Sequence, residues 1–484
     1  MNRVILIEFI IYFAVIIGIG YATSRTKMSH SVFLLGGKKL PGWALAFSER
    51  ATGESAWLLL GFTGFVFTTG LAGIWVAIGI GLGIIFAWLF LARRFMKETD
   101  KHDVLTLPDF LAVSFGEKEN LIRWVASILI ASFFMFYVGA QLAGAGKLFF
   151  TTFDMDPKVG IILATVVVLG IAFFGGFVSV VWTDMIQSVM MLATLVILPI
   201  VALIYINTHD LSIATSLVEA GESFDSWFGG ATGFALGVLF FNNFSWFFGY
   251  LGGQPQLSAR FMALKNDKEA KQGIIVSITW TILAYTGAFL IGLAAIAMYK
   301  QGTFADTETI LPNMILDLMP TWIGGLLLAG ILAAIITTAN SQLLVITSSV
   351  SEDIIHKALG MRLNDRQLVW LSRIVILVSG VIGMVIALSS QSLVYLVVSW
   401  AWAGVGCTLG PAILLTFFWK RYSSTGVVAT ILSGFIFTVV WISTDMDEQL
   451  TARFATFFVA AIVGIVFSIV FPDKGEETKE TVNI

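Results

Sequence analysis

Charge is what this sequence has least of. Only 12% of its 484 residues are Asp, Glu, Lys or Arg, about half the share of a soluble domain, which excludes most soluble folds. Cysteine is nearly absent: Cys407 stands alone, so no intrachain disulfide can form. The four histidines (His30, His102, His209, His356) are scattered, and no HxxxH or CxxC pair offers a metal site. A net charge of -3 points away from nucleic acid as a partner. Long polar stretches are missing too. The longest connections run to about 30 residues, too short to fold alone, so catalysis on a large soluble substrate is not expected.

What is there is apolar sequence, 57% of the chain. A bilayer core takes about 20 apolar residues of helix. Thirteen spans are expected, at roughly 4–23, 42–72, 74–93, 121–150, 158–178, 184–206, 229–252, 273–299, 310–347, 369–389, 392–419, 425–444 and 451–471. The first apolar run, Ile5 to Tyr21, lacks a basic flank beyond Arg3 and a small-x-small cleavage site, so it reads as a retained helix. The stretch 158–206 is nearly continuous and divides at Gly175-Gly176.

Charge gives the orientation. With the N-terminus outside and thirteen crossings, 22 of the 28 Lys and Arg residues face the cytoplasm, as the positive-inside rule requires. The outer connection from His209 to Trp227 holds four acids and no Lys or Arg. The chain therefore reads as a multi-pass protein of the cell membrane with its C-terminus inside. The polar tail after Pro472 is expected to be disordered.

Transporters of the inverted-repeat kind place their sites where helices are interrupted near the mid-membrane. Two spans carry such interruptions. Ser48-Glu-Arg-Ala-Thr-Gly-Glu-Ser-Ala-Trp57 puts Glu49, Arg50 and Glu54 into an apolar helix. Trp246-Phe-Phe-Gly-Tyr-Leu-Gly-Gly-Gln-Pro255 ends in residues that do not sustain a regular helix. The two lie five spans apart, an odd number, so spans 2–6 and 7–11 can form an inverted pair. A third segment, Ala333 to Gln342, brings the hydroxyls of Thr337, Thr338 and Ser341 among small residues. Hydroxyl and backbone oxygens are hard, neutral ligands suited to a monovalent cation. The plainer alternative is that these hydroxyls only bond back to their own helix.

At these segments the sequence resembles the sodium/solute symporter family, above all its proline-carrying members. The likeness also runs through Phe33-Leu-Leu-Gly-Gly37, Leu105-Thr-Leu-Pro-Asp109, Phe174-Gly-Gly-Phe177, Trp182-Thr-Asp184, Gly253-Gln-Pro255, Ala259-Arg-Phe-Met-Ala263 and Ser399-Trp-Ala-Trp-Ala-Gly404. It implies an all-α membrane protein of the LeuT type, with inverted five-helix repeats and thirteen transmembrane helices. The layout is then an N-terminal helix and cytoplasmic loop (1–41), a first repeat (42–207), an extracellular connection (208–228), a second repeat (229–419), two C-terminal helices (420–471) and a tail (472–484).

The resemblance also implies a site. Sodium would be bound by the carbonyls of Ala51, Glu54 and Ala334 and the hydroxyls of Thr337 and Thr338. The substrate pocket would be lined by Trp57, Tyr137, Trp246, Tyr250 and Pro255. Asp184, with Ser341, would serve a second ion, unless Asp184 simply caps a helix N-terminus. One departure stands out. The aspartate of the proline-carrying members falls at Gly53 here, while Glu54 is acidic where they are apolar. Three readings stay open: Glu54 replaces that aspartate, Arg50 pairs with Glu54 or Glu49 in place of an ion, or Glu54 exchanges a proton.

The expected function is sodium-coupled import of a small amino acid, L-proline first, with no enzymatic activity and no obligate protein partner. Proton-coupled or ion-independent transport of another small organic solute through Glu54 and Arg50 is the alternative. A membrane sensor is the reading from a different class, since some relatives join this fold to a histidine kinase. The chain ends about a dozen residues after its last span, leaving no room for one.

Overall fold

A computed structural model of the chain describes residues 3–24, 30–389 and 392–473. The expectations placed on 25–29 and on the tail beyond 473, including Arg25, Lys27, Lys474 and Lys479, lie outside these residues. Among the described residues the regular structure is all helical. Eleven helical runs are long and apolar enough to cross a bilayer. Thirteen were expected, and the difference has two sources. The run Gly42–His102 has 61 residues, roughly 90 Å if straight. It holds two expected spans, and its helical geometry stops at Gly70 (φ 64°, ψ -139°). The expected seventh span, 229–252, is present only as the shorter apolar helix Phe234–Gly249.

The helices used below are α1 (Arg3–Ser24), α2 (Gly42–Ala56), α3 (Glu119–Phe153), α4 (Pro157–Thr208), α5 (Phe234–Phe244), α6 (Trp246–Gly249), α7 (Pro255–Met262), α8 (Asp267–Met298), α9 (Thr321–Ser348), α10 (Val394–Ala401) and α11 (Ala452–Val470).

Large apolar side chains lie exposed in rows on the outer helices, such as Ile7, Ile10 and Ile11 on α1 or Ile374, Leu377 and Val381 on the helix Asp365–Ser389. A soluble protein does not leave such faces bare; a lipid-facing one does. The centre belongs to α9. Its apolar window is 83% buried, against 28% for the corresponding part of α1. α9 packs against α1, α2, α3 and α4. Small residues make that possible: a side chain at Gly330 would meet Thr194 Oγ1 at 2.4 Å. Thr194 Oγ1 in turn donates to the Leu327 carbonyl at 3.0 Å, tying α4 to α9. The expected division of 158–206 is present as a kink in α4 at Gly176 (φ 63°, ψ -176°).

Candidate functional site

The first expected break is real and centres on Ser55 (φ 47°, ψ -171°). A non-glycine residue at positive φ is costly, and its neighbours hold it there. Ser55 Oγ accepts the Trp57 N–H at 3.1 Å. Gln141 Oε1, from α3, accepts the Ala56 N–H at 3.0 Å. The amides that the break strips of helical partners are thus satisfied. The second break runs from Tyr250 to Gln254, between α6 and α7, with Gly252 at φ 85° and Pro255 opening α7.

Opposite the first break stands α9, unbroken. Thr337 Oγ1 donates to the carbonyls of Ala51 and Ala334, each at 3.1 Å. Thr338 Oγ1 donates to the Thr52 carbonyl at 3.1 Å and reaches Ala51 O at 3.5 Å. The Thr337 hydroxyl therefore bonds back within α9 as well as crossing to α2, whereas the Thr338 hydroxyl bonds only across to α2. Four of the five expected cation ligands converge here. The fifth, the Glu54 carbonyl, accepts the Trp57 N–H across the break. Neutral oxygens of this kind are the ligands that a small hard monovalent cation takes.

The charged residues of α2 form one wholly buried cluster. Arg50 Nε donates to Glu49 Oε2 at 2.6 Å, Nη2 donates to Glu49 Oε1, and Nη1 donates to Glu54 Oε1 at 2.7 Å. Trp88 Nε1 donates to Glu49 Oε2 at 2.9 Å. Glu54 Oε2 accepts from the hydroxyls of Tyr285 and, at 3.4 Å, Tyr250. Two carboxylates face one guanidinium, so with both ionised the cluster carries a net charge of minus one.

Asp184 does not cap a helix. It lies inside α4, eight residues past the Gly176 kink, where the helix has its own hydrogen bonds. Its Oδ2 accepts from Ser48 Oγ at 2.6 Å and Arg260 Nη2 at 3.1 Å. Arg260 Nη2 also donates to Ser341 Oγ at 2.7 Å and Thr52 Oγ1 at 3.1 Å. Asp184 and Ser341 do come together, but around a guanidinium supplied by α7.

The aromatic residues also assemble. Trp57 and Trp246 have ring centres 4.4 Å apart. Trp402 joins them, 5.9 Å from Trp246 and 4.3 Å from Tyr250, and its Nε1 donates to the Tyr137 hydroxyl at 3.1 Å. Tyr395 covers the cluster, 5.7 Å from Trp57 and stacked on Phe65 at 4.8 Å. Glu308 fixes this cover by accepting the N–H groups of Val394 and Tyr395 at the start of α10, at 2.9 and 2.8 Å. Phe65, on which Tyr395 stacks, also lines a cavity of about 680 Å³ with Thr69, Phe234 and Asn242. Pro255 stands apart, lining a small cavity with Thr106, Pro108 and Arg260.

Sequence reasoning missed Arg260, Tyr285, Tyr395, Trp402 and Gln141 as parts of this site. Arg260 and Trp402 stood inside quoted motifs, and a cation or polar aromatic at membrane depth was the available signal. Gln141 had no signal beyond being polar in an apolar helix.

Comparison with known proteins agrees with the geometry. The model of the sodium:solute symporter family matches residues 33–434. The chain is 35% identical over 452 residues to the high-affinity proline transporter PutP of Bacillus subtilis, covering 93% of this chain and 94% of that one. It is 30% identical to the sodium/proline symporter of Escherichia coli over 443 residues, 90% and 87% of the two chains. Among solved structures, a Na+-coupled sialic acid symporter in a substrate-bound outward-open state superposes with a TM-score of 0.79 at 21% identity, covering 98% of this chain and all of the other. That likeness carries the fold, which is of the LeuT type. With matches of this extent in sequence and in fold, the chain belongs to the sodium:solute symporter family, and is a transporter rather than an enzyme.

Proposed function

We propose that the protein imports L-proline, or a close amino-acid relative, with sodium by alternating access. The observation that carries the reading is the meeting of the Thr337 and Thr338 hydroxyls with the Ala51 carbonyl where α2 breaks. That point lies beside an aromatic cluster suited to a small flat ring. Sodium would take the carbonyls of Ala51, Glu54 and Ala334 and the two hydroxyls. Proline would lie against Trp57, Tyr137, Trp246 and Tyr250, beside the break in α2. Asp184, Arg260 and Ser341 lock α2, α4, α7 and α9 together, and this lock must loosen for release inward. The thirteen-span topology, with the N-terminus outside and the C-terminus in the cytoplasm, belongs to the same reading and is supported by the charge distribution.

The direct test of the substrate is uptake of labelled L-proline by reconstituted protein under a sodium gradient, challenged with other unlabelled amino acids, sugars and monocarboxylates. Saturable uptake that unlabelled proline displaces at the lowest concentration is expected. Absence of proline uptake under a sodium or a proton gradient overturns the substrate.

A further inference from the structure

Arg453 lies near the start of α11, outside the residues matched by the family model. It is 4% exposed. Its guanidinium carbon stands 4.2 Å from the centre of the Trp246 ring. Nε donates to Ser245 Oγ at 3.2 Å, Nη2 to the Asn242 carbonyl at 3.1 Å, and Nη1 to Ser399 Oγ. All three acceptors are neutral, and among the described residues no carboxylate pairs with this guanidinium. Asp447, from the same end of the molecule, spends its oxygens on Trp400 Nε1 (2.9 Å) and the Ala452 N–H (2.6 Å). A cation withdrawn from water whose hydrogen-bond partners are all neutral, with the nearby Asp447 carboxylate bonded elsewhere, keeps much of its desolvation cost. An anion that arrives later recovers it.

The position fits such an anion. Asn242, which accepts from Arg453, also lines the 680 Å³ cavity. Trp246, on which Arg453 lies, belongs to the aromatic cluster. From Trp246 the cluster runs through Trp402 and Tyr250 to the Glu49–Arg50–Glu54 group, where Tyr250 touches Glu54 Oε2 at 3.4 Å. One aromatic cluster thus has a net positive charge at one end and a net negative charge at the other.

We propose that Arg453 binds the substrate carboxylate, a role that rests on the amino-acid transport proposed above. The guanidinium turns from Ser399 and Ser245 to the carboxylate, presenting paired N–H donors. The substrate ring then packs on Trp246 and its amino group faces the Glu54 end. The competing account makes Arg453 a strap that only holds the end of α5 through Asn242 and Ser245.

The test uses the full-length reconstituted protein. Labelled L-proline uptake is inhibited by unlabelled L-proline and by L-prolinamide, in which a neutral amide replaces the carboxylate. In the wild type the acid is expected to inhibit at least ten times better than the amide. Arg453→Gln is expected to raise KM for proline about 30-fold, the usual effect of removing one partner of a buried charge pair. Its maximal rate should stay within about twofold, and the acid should lose its advantage over the amide. Arg453→Lys, which keeps charge without the fork, should retain an intermediate preference and protects the test if the Gln variant fails to assemble. Equal loss for acid and amide in Arg453→Gln, or an unchanged proline KM in Arg453→Lys, overturns the assignment. A wild type that carries proline but does not prefer acid over amide overturns it alone. A wild type that carries no proline overturns the transport reading and the assignment together.

Discussion

Arg50 Nη1 lies 2.7 Å from Glu54 Oε1, one turn apart on a helix that loses its regular form at Ser55. Glu49 takes the other two donating nitrogens of the same guanidinium. Because Arg50 is shared, one negative charge remains when both carboxylates are ionised. It rests at the edge of the break, where Glu54 is held by Tyr285 and Tyr250. Of the three readings of Glu54, we propose the first: with Gly53 bare, the longer Glu54 side chain supplies a carboxylate to the region of the expected aspartate from the next position.

That surplus charge sets the first prediction. Glu54→Gln keeps the shape and most hydrogen bonds but removes the charge. The sodium concentration for half-maximal uptake should rise at least roughly tenfold, since one unit charge at an effective dielectric near 20 contributes about 1.4 kcal/mol even from about 12 Å. Uptake measured against sodium concentration checks it; an unchanged curve means that the carboxylate has no part in coupling.

Arg50 should behave differently. Arg50→Gln leaves two buried carboxylates facing each other, and breaking a buried pair costs about 3–5 kcal/mol. Much lower yields of folded protein and a lower melting temperature in detergent are expected. Adding Glu54→Gln to the same chain should restore part of the loss. A single variant as stable as the wild type would show that the cluster is not held by its charges.

Gly253 gives a steric prediction. A Cβ there would lie 2.2 Å from the Gly406 carbonyl oxygen and 2.3 Å from Gly410 N, and neither backbone group can step aside cheaply. Gly253→Ala should abolish uptake and reduce folded yield, because the break between α6 and α7 must then separate from the helix behind it. Normal uptake by this variant would mean that the close approach is dispensable.

Much of this architecture was legible because membranes impose simple rules on sequence. Both breaks were readable from charge, glycine and proline placed where a span should be regular. Thr337 and Thr338 were readable as hydroxyls in a small-residue helix. What stayed hidden is what needs three dimensions. Asp184 looked able to cap a helix because the sequence around Gly176 resembles a boundary; in fact the chain kinks there and runs on. Arg453 carries no motif in the sequence, yet the fold buries it against Trp246. Length-based counting also fails at both ends of its range: a 61-residue run hides two expected spans, while Phe234–Gly249 is too short to register.

The two hydroxyls offer the most local test of the cation site. Thr338→Ala removes one oxygen ligand and leaves the Ala51 and Ala334 carbonyls in place. The half-saturating sodium concentration should rise about tenfold, the order of one lost hydrogen-bonding or ligating group, with the proline KM at saturating sodium little changed. An unchanged sodium dependence would remove Thr338 from the site.

The proposed transport is driven by sodium at the junction of α2 and α9. It is tested most directly with wild-type protein in sealed liposomes, with the pH gradient and the sodium gradient imposed separately. Concentrative proline uptake should follow the sodium gradient and survive collapse of the pH gradient. Uptake that is indifferent to sodium and abolished by dissipating the pH gradient would contradict the account.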